Sequence, residues 1–295
     1  MLESTWILDP GRGIRVSRPA GIMGILNATP DSFSDGGQFA DADAAVLAGQ
    51  ALVAAGATWL DVGGESTRPG AAAVPAGIQI ARIVPVIRRL REQGVAAWIS
   101  VDTRLAEVAE SAFAAGADAV NDVSAGTDPG MFPLLARTGR VGILMHMQGE
   151  PATMQRNPDY GDVVLDVIGH LCRRIDAAER VGVARASLAV DPGIGFGKTV
   201  AHNRALLGAL ERIERETGRP VVVGVSRKSL LPTLAGVDPA ALPAAARDPL
   251  SHVLHAALAP RCALLRVHDV AGCAAALRLA RSLPAVAHGA GAAHV

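Results

Sequence analysis

The feature that most constrains this chain is a pattern that returns eight times: a short apolar run, a polar residue or loop, then a helix-compatible stretch. The first run, Ile22 to Leu26, stops at Asn27 and opens into hydroxyls, carboxylates and glycines up to Gly37. A continuous apolar run bounded by turn signals fits a strand covered on both faces, as in a parallel sheet. Thr58 to Val62 comes next and delivers Asp61, Glu65, Ser66, Thr67 and Arg68 into a glycine-flanked loop. Ala97 to Val101 then leads to Asp102, Val120 to Asn121, and Val141 to Met145 to His146. Leu188 to Val190 leads to Asp191, Val221 to Val225 to Ser226-Arg227-Lys228, and Leu264-Leu265 to Arg266-Val267-His268-Asp269.

The stretches between these runs carry helical signals. Asp41 to Ala55 is alanine-rich and stops at Gly56, a left-handed cap position. Ile83, Val86, Ile87 and Leu90 mark one helix face, with Pro85 predicting a kink; Leu105 to Ala115 follows, and Val164, Val167, Ile168, Leu171 and Ile175 mark a long helix. An echo confirms the unit: Ala54-Ala-Gly-Ala precedes Leu60-Asp61, and Ala114-Ala-Gly-Ala precedes Val120-Asn121, with equal spacing. Eight strand-then-helix repeats predict an α/β chain closed as a (β/α)8 TIM barrel, with its chemistry at the C-terminal strand ends. An open doubly wound sheet would bind at one crevice, whereas here nearly every strand contributes a polar residue. Residues 1–20 alternate weakly around a Pro-Gly-Arg-Gly turn and predict a hairpin covering the barrel bottom; 285–295 read as a frayed tail. The whole length, 1–295, reads as one domain.

Composition narrows the partners. Lys plus Arg (28) equals Asp plus Glu (28), so no global field draws nucleic acid or an acidic membrane. Three cysteines without C-x-x-C spacing suggest neither disulfides nor zinc, and fit the cytoplasm. No run approaches about 18 uninterrupted apolar residues, and no signal peptide is indicated. DPGIGFGKT at 191–199 has proline where a phosphate loop needs its first glycine, and neither G-x-G-x-x-G nor H-E-x-x-H occurs.

Singly, Asp102 suits a cap for a helix from Thr103 and Asp191 a turn before Pro192. With Asn121 they form a set of acceptors and an amide that complements a flat guanine-like or pterin-like ring. Arg68, Arg266 and His268 form a candidate anion site. Asn27, which equally suits a turn, offers an oxygen for Mg²⁺.

Eight segments converge on one family: NATPDSFSDGG (27–37), DVGGESTRPGA (61–71), SVDT (100–103), NDVSAG (121–126), MHMQG (145–149), DPGIGFGKT (191–199), SRKS (226–229) and RVHDV (266–270). In this order the chain resembles the dihydropteroate synthases, pterin-binding TIM barrels. The resemblance implies a folate-pathway transferase that joins 6-hydroxymethyl-7,8-dihydropterin diphosphate to p-aminobenzoate, releases pyrophosphate, uses Mg²⁺ and works as a homodimer. It puts the pterin on Asp102, Asn121, Asp191 and Lys228 between Val123 and Met145. The diphosphate falls to Asn27, Thr67, Arg68, Arg266 and His268, with Mg²⁺ on Asn27. It assigns p-aminobenzoate to Thr67, Pro69, Phe196 and Ser229, with Phe33 and Asp35 on a closing loop.

The chain departs from that family after strand seven, where Leu230-Leu231-Pro232 replaces a small flexible step. A helix starting Asp248-Pro-Leu-Ser-His likewise stands where glycine and small residues are usual. The departure bears on helix packing and the dimer surface, not on the site residues. A pterin-dependent methyltransferase would need neither Arg266-Val267-His268 nor the Thr67-Arg68-Pro69-Gly70 turn, and a silent pterin- or partner-binding paralogue would lack turnover. In the synthase reading Arg266 serves the leaving group, so Arg266→Ala is expected to spare binding of a bare pterin.

Overall fold

The computed structural model describes residues 5–9, 11–28, 37–65, 73–149, 153–155 and 157–283. Phe33, Asp35, Thr67, Arg68, Pro69 and the 285–295 tail lie outside the described residues. The barrel strands are β3 (Gly21–Asn27), β4 (Trp59–Gly63), β5 (Trp98–Asp102), β6 (Ala119–Asp122), β7 (Val141–Met145), β8 (Leu188–Asp191), β9 (Val222–Val223) and β10 (Leu264–Val267). They lie in the order β8-β7-β6-β5-β4-β3-β10-β9, all pairs parallel, and a parallel bridge between Val190 and Val221 joins the two ends. The ring is the expected (β/α)8 barrel.

Helices α1 (Gly37–Ala54), α2 (Ala76–Glu92), α3 (Ala106–Ala114), α4 (Met131–Thr138) and α5 (Val163–Arg180) wrap the first half. The faces anticipated on α2 and α5 are buried: Ile83, Val86, Ile87 and Leu90 on one, Val164, Val167, Ile168, Leu171 and Ile175 on the other. α2 runs unbroken through Pro85, because the carbonyl that loses its partner belongs to exposed Ala81 and can bond water. The second half carries α6 (Val200–Gly208), α7 (Leu210–Thr217), α8 (Leu230–Leu234), α9 (Asp248–Leu258) and α10 (Val270–Ser282). In α9, Pro249 falls in the first turn, where a missing N–H costs nothing, so the departing segment still makes a helix. No helix among the described residues is long and apolar enough to cross a membrane.

Strand alternation sorts the side chains into two layers. Ile22, Leu26, Leu60, Val62, Ile99, Val101, Val120, Leu144 and Val190 face the helices in one large core. Met23, Trp59, Ala119, Val141, Ile143, Ala189, Val222 and Leu264 face the lumen and fill its lower part. Below them lies the expected hairpin, β1 (Thr5–Asp9) antiparallel to β2 (Ile14–Ser17), which adds Leu8, Ile14 and Val16 to the same cluster.

Asp118 pins this lower end. It is buried, its Oδ2 accepts from the Ile99 N–H at 2.8 Å and from Arg91, and Arg12 of the hairpin turn reaches Oδ1 at 3.2 Å. Removing the carboxylate would strand a backbone donor and two guanidinium groups, so Asp118→Ala should lower unfolding free energy by about 3 kcal/mol. Urea denaturation reads this; a change below about 0.5 kcal/mol, the level of an ordinary surface substitution, would mean the pin is inconsequential.

Candidate active site

Above the apolar filling the same lumen-facing positions become polar. Trp59, Asp61 and Gly63 lie on one parity, and the register sets Asp61 beside Ser100 and Gly63 beside Asp102, with Asp102 beside Asn121. Asp61 was expected among the residues of the following loop; it lies inside β4 instead, fully buried. There it accepts three bonds: from Ser100 Oγ at 2.5 Å, Asn121 Nδ2 at 3.0 Å and Arg266 Nε at 2.6 Å. The other arm of the Arg266 fork donates to Asp102 Oδ2 at 2.7 Å. One guanidinium thus spans from β10 to β4 and β5 across the lumen.

That pairing bears on two expectations. Asp102 caps no helix: α3 begins at Ala106, and Thr103 Oγ1 accepts the Leu105 N–H at 3.2 Å instead. Arg266, expected to serve the leaving group, is tied to Asp102, so its removal would leave that carboxylate without its ionic partner. Burial works against the charge of Arg266, but Asp61 and Asp102 raise its pKa above the ordinary arginine value. Burial pushes Asp102 up to about 7, with Arg266 opposing and Asp61 adding to the rise. Its second oxygen, Oδ1, is buried without a hydrogen-bond partner among the described residues. Such an acceptor costs free energy unless a donor arrives.

Asp191 ends β8 buried, and its Oδ1 accepts the Gly193 N–H at 2.6 Å, so the turn reading holds for one oxygen. Burial raises its pKa, with Lys228 opposing. Lys228 donates to the Ile194 carbonyl and lies 4.6 Å over the Phe196 ring; burial lowers its pKa to about 8, with Asp191 opposing. Val123 and Met145 are buried as apolar walls, Asn27 ends β3 half-buried, and Ser229 is exposed at the start of α8. The His268 backbone N–H donates to Ser226 Oγ at 3.1 Å, and the same oxygen lies 3.0 Å from His268 Nδ1. Beside it Arg227 has φ of 61°, a left-handed conformation that costs a non-glycine residue about 1–2 kcal/mol.

The wall beside Asp191 rests on Lys198, which had no role once the phosphate-loop match failed, together with His146. Lys198 is buried, 3.0 Å from His146 Nδ1, and donates to the Phe196 carbonyl at 2.9 Å. Burial lowers it to about 7, and burial with the Lys198 charge lowers His146 to about 2. Gly193, at φ 68°, passes so close that a Cβ there would lie 1.8 Å from the His146 carbonyl oxygen.

Asn27 offers an amide oxygen, a hard donor of the kind Mg²⁺ accepts while keeping waters and phosphate oxygens. Among the described residues no group of three or more His, Cys, Asp or Glu could hold a metal ion. The Asn27 amide oxygen alone is chemically suited to serve as one ligand of such a metal.

A neutral buried His146 has a pH signature. Its folded pKa lies below the ordinary 6.5, so its stabilising contribution is complete above pH 6.5 and lost progressively as pH falls from there toward about 2. Urea titrations between pH 6 and 4.5 should show a slope shallower by about 1.4 kcal/mol per pH unit in His146→Asn than in the parent. Equal slopes would refute the buried neutral imidazole.

The pterin binding enzyme family model matches residues 23–268, nearly the whole barrel. The dihydropteroate synthase of Mycobacterium leprae is 45% identical over 265 residues, 88% of this chain and 92% of that one. A Xanthomonas albilineans dihydropteroate synthase structure with 4-aminobenzoic acid superposes with a TM-score of 0.83 at 43% identity, covering 96% of this chain and 100% of that one. The X. albilineans enzyme in complex with 7,8-dihydropteroate gives 0.76 at 39% identity, covering 90% and 94%. A lumen that ends in buried carboxylates, an amide and one shared arginine is thus found in a chain that belongs to the pterin-binding enzyme family, among the dihydropteroate synthases.

Proposed function

We infer that the protein joins 6-hydroxymethyl-7,8-dihydropterin diphosphate to p-aminobenzoate, giving 7,8-dihydropteroate and pyrophosphate. The observation that carries this is the unpartnered Asp102 Oδ1, held beside Asn121 by strand register and beside the leaving-group arginine by a hydrogen bond. A ring bearing amino and N–H donors satisfies that oxygen and the carboxylate of Asp191, while Asn121 and Lys228 meet its remaining polar edge.

With the ring so held, the bond between the methylene carbon and diphosphate oxygen breaks and its electron pair leaves with the diphosphate. The cation delocalises into the dihydropterin, and the nearby carboxylates stabilise it. The arylamine nitrogen then bonds the methylene carbon and releases a proton. Arg266 and His268, together with Arg68, neutralise charge growing on the leaving group. Thr67, Pro69, Phe196 and Ser229 seat p-aminobenzoate, and Phe33 and Asp35 close over it to exclude water. Mg²⁺ on Asn27 supplies further positive charge to the diphosphate when bound. A methyltransferase would have no use for an arginine shared between ring and anion.

Residues 1–295 form one pterin-binding domain in this reading, working in the cytoplasm as a homodimer. Support for the dimer comes from Val253 on α9 and Leu279 on α10, large apolar side chains 73% and 63% exposed on two helices that pack together. Sedimentation velocity should give the mass of two chains, and a monomer at micromolar concentration would refute it.

Purified protein supplied with the pterin diphosphate, p-aminobenzoate and Mg²⁺ should form dihydropteroate and release pyrophosphate, with a sulfonamide competing against p-aminobenzoate. Folded protein giving no product would overturn the function. Arg266→Ala should lose on the order of 3 kcal/mol of transition-state stabilisation. It should also weaken binding of a bare pterin, because Asp102 then has no guanidinium to hold it ionised. Calorimetry showing undiminished pterin affinity would mean that the Arg266–Asp102 pair plays no part in ring recognition.

A further inference from the structure

The segment that departs from the family supplies a clamp on the strand-seven loop. Asp248, the first residue of α9, takes both arms of the Arg227 guanidinium, Nε to Oδ1 at 2.8 Å and Nη2 to Oδ2 at 2.7 Å. Two bonds from the same stretch hold the Arg227 backbone, and a third ties their partners together. The Arg227 N–H donates to Ser251 Oγ at 3.1 Å, Ser251 Oγ donates to the Arg247 carbonyl at 2.9 Å, and Arg247 Nη1 donates to the Arg227 carbonyl at 3.0 Å. Arg227 is thereby fixed in a left-handed conformation between two residues of the site. On one side Ser226 engages His268, and on the other Lys228 reaches over Phe196 beside Asp191. A left-handed residue reverses the chain locally, so its neighbours point where they do only while that conformation persists.

We propose that Asp248 is a positioning residue: through its two-pronged pair with Arg227 it sets Lys228 for the pterin ring and Ser226 for His268. Asp248 touches no substrate. A bidentate arginine pair fixes orientation as well as distance, which a single lysine contact would not do. The carboxylate's low pKa, which the Arg227 hydrogen bonds chiefly cause, keeps the pair ionised at neutral pH. The segment that looked like a departure from the family thus serves the site from outside it. The proposal rests on the dihydropteroate synthase reading.

The test is a double-mutant cycle in the full chain, read by calorimetric binding of 6-hydroxymethylpterin and by kcat and KM for the pterin diphosphate. Asp248→Ala should weaken pterin binding about tenfold and raise KM for the diphosphate similarly. In a Lys228→Ala background the same change should have less than a twofold effect on pterin binding, because the residue it acts through is gone. Asp248→Glu should recover most of the loss. Arg227→Gly keeps the left-handed backbone accessible and removes the pair from its other end; it should reproduce the Asp248→Ala loss even if that variant folds poorly. Unchanged pterin binding in Arg227→Gly or in folded Asp248→Ala, or equal losses with and without Lys228, would overturn the positioning role. Failure of the parent chain to bind the pterin or turn over would instead overturn the functional reading, and this proposal with it.

Discussion

The arrangement of this barrel's upper half depends on one buried ion pair network, Arg266 between Asp61 and Asp102. Charges in a barrel lumen are costly unless each finds partners. Asp61 has three donors and is the anchor; its hydrogen bonds orient Asn121 and Arg266 together. Asp102 has one oxygen committed and one without a partner among the described residues. The network therefore holds its own members while leaving that buried acceptor unmet. Because the same guanidinium borders both carboxylates, a change in the charge of either is felt by the other.

The lumen is layered, and the layering follows from strand parity. Low in the barrel, the lumen-facing residues are Met23, Trp59, Val141, Ile143 and Leu264, sealed by the hairpin's Leu8, Ile14 and Val16. Two residues beyond Trp59, Ala119, Ala189 and Leu264 the inward positions are Asp61, Asn121, Asp191 and Arg266. A dry floor beneath them keeps the effective dielectric low, which strengthens their mutual interactions and lifts Asp102 to about 7.

Much of this was legible in the sequence, because short apolar runs and their polar endings are local signals. All eight strands lie where the runs are; Asp102 and Asp191 end their strands as read, and Asn121 stands one residue before the end of its own. Asp61 was misplaced because its chemistry resembles that of the loop after it. The alternation Trp59, Asp61, Gly63 was the available sign that it faces the lumen. Pairings were not legible: Arg266 and Asp61 are 205 residues apart, Arg227 and Asp248 lie on different elements, and no local pattern links them. Lys198 was hidden differently, since its importance comes from burial against His146, which a motif comparison does not weigh.

The close passage of Gly193 beneath the His146 carbonyl also bears on how such a barrel can be diversified. Loops on barrel strands are often treated as interchangeable parts, but here the loops after β7 and β8 are interlocked. Gly193 passes under His146, Gly197 under Gln148, and the Tyr160 hydroxyl donates to the Gly197 carbonyl at 2.7 Å. Neither loop can be swapped or randomised alone without collision. On this side of the mouth the unit of inheritance and of engineering is the pair, and new ring specificity would have to arise in both loops at once.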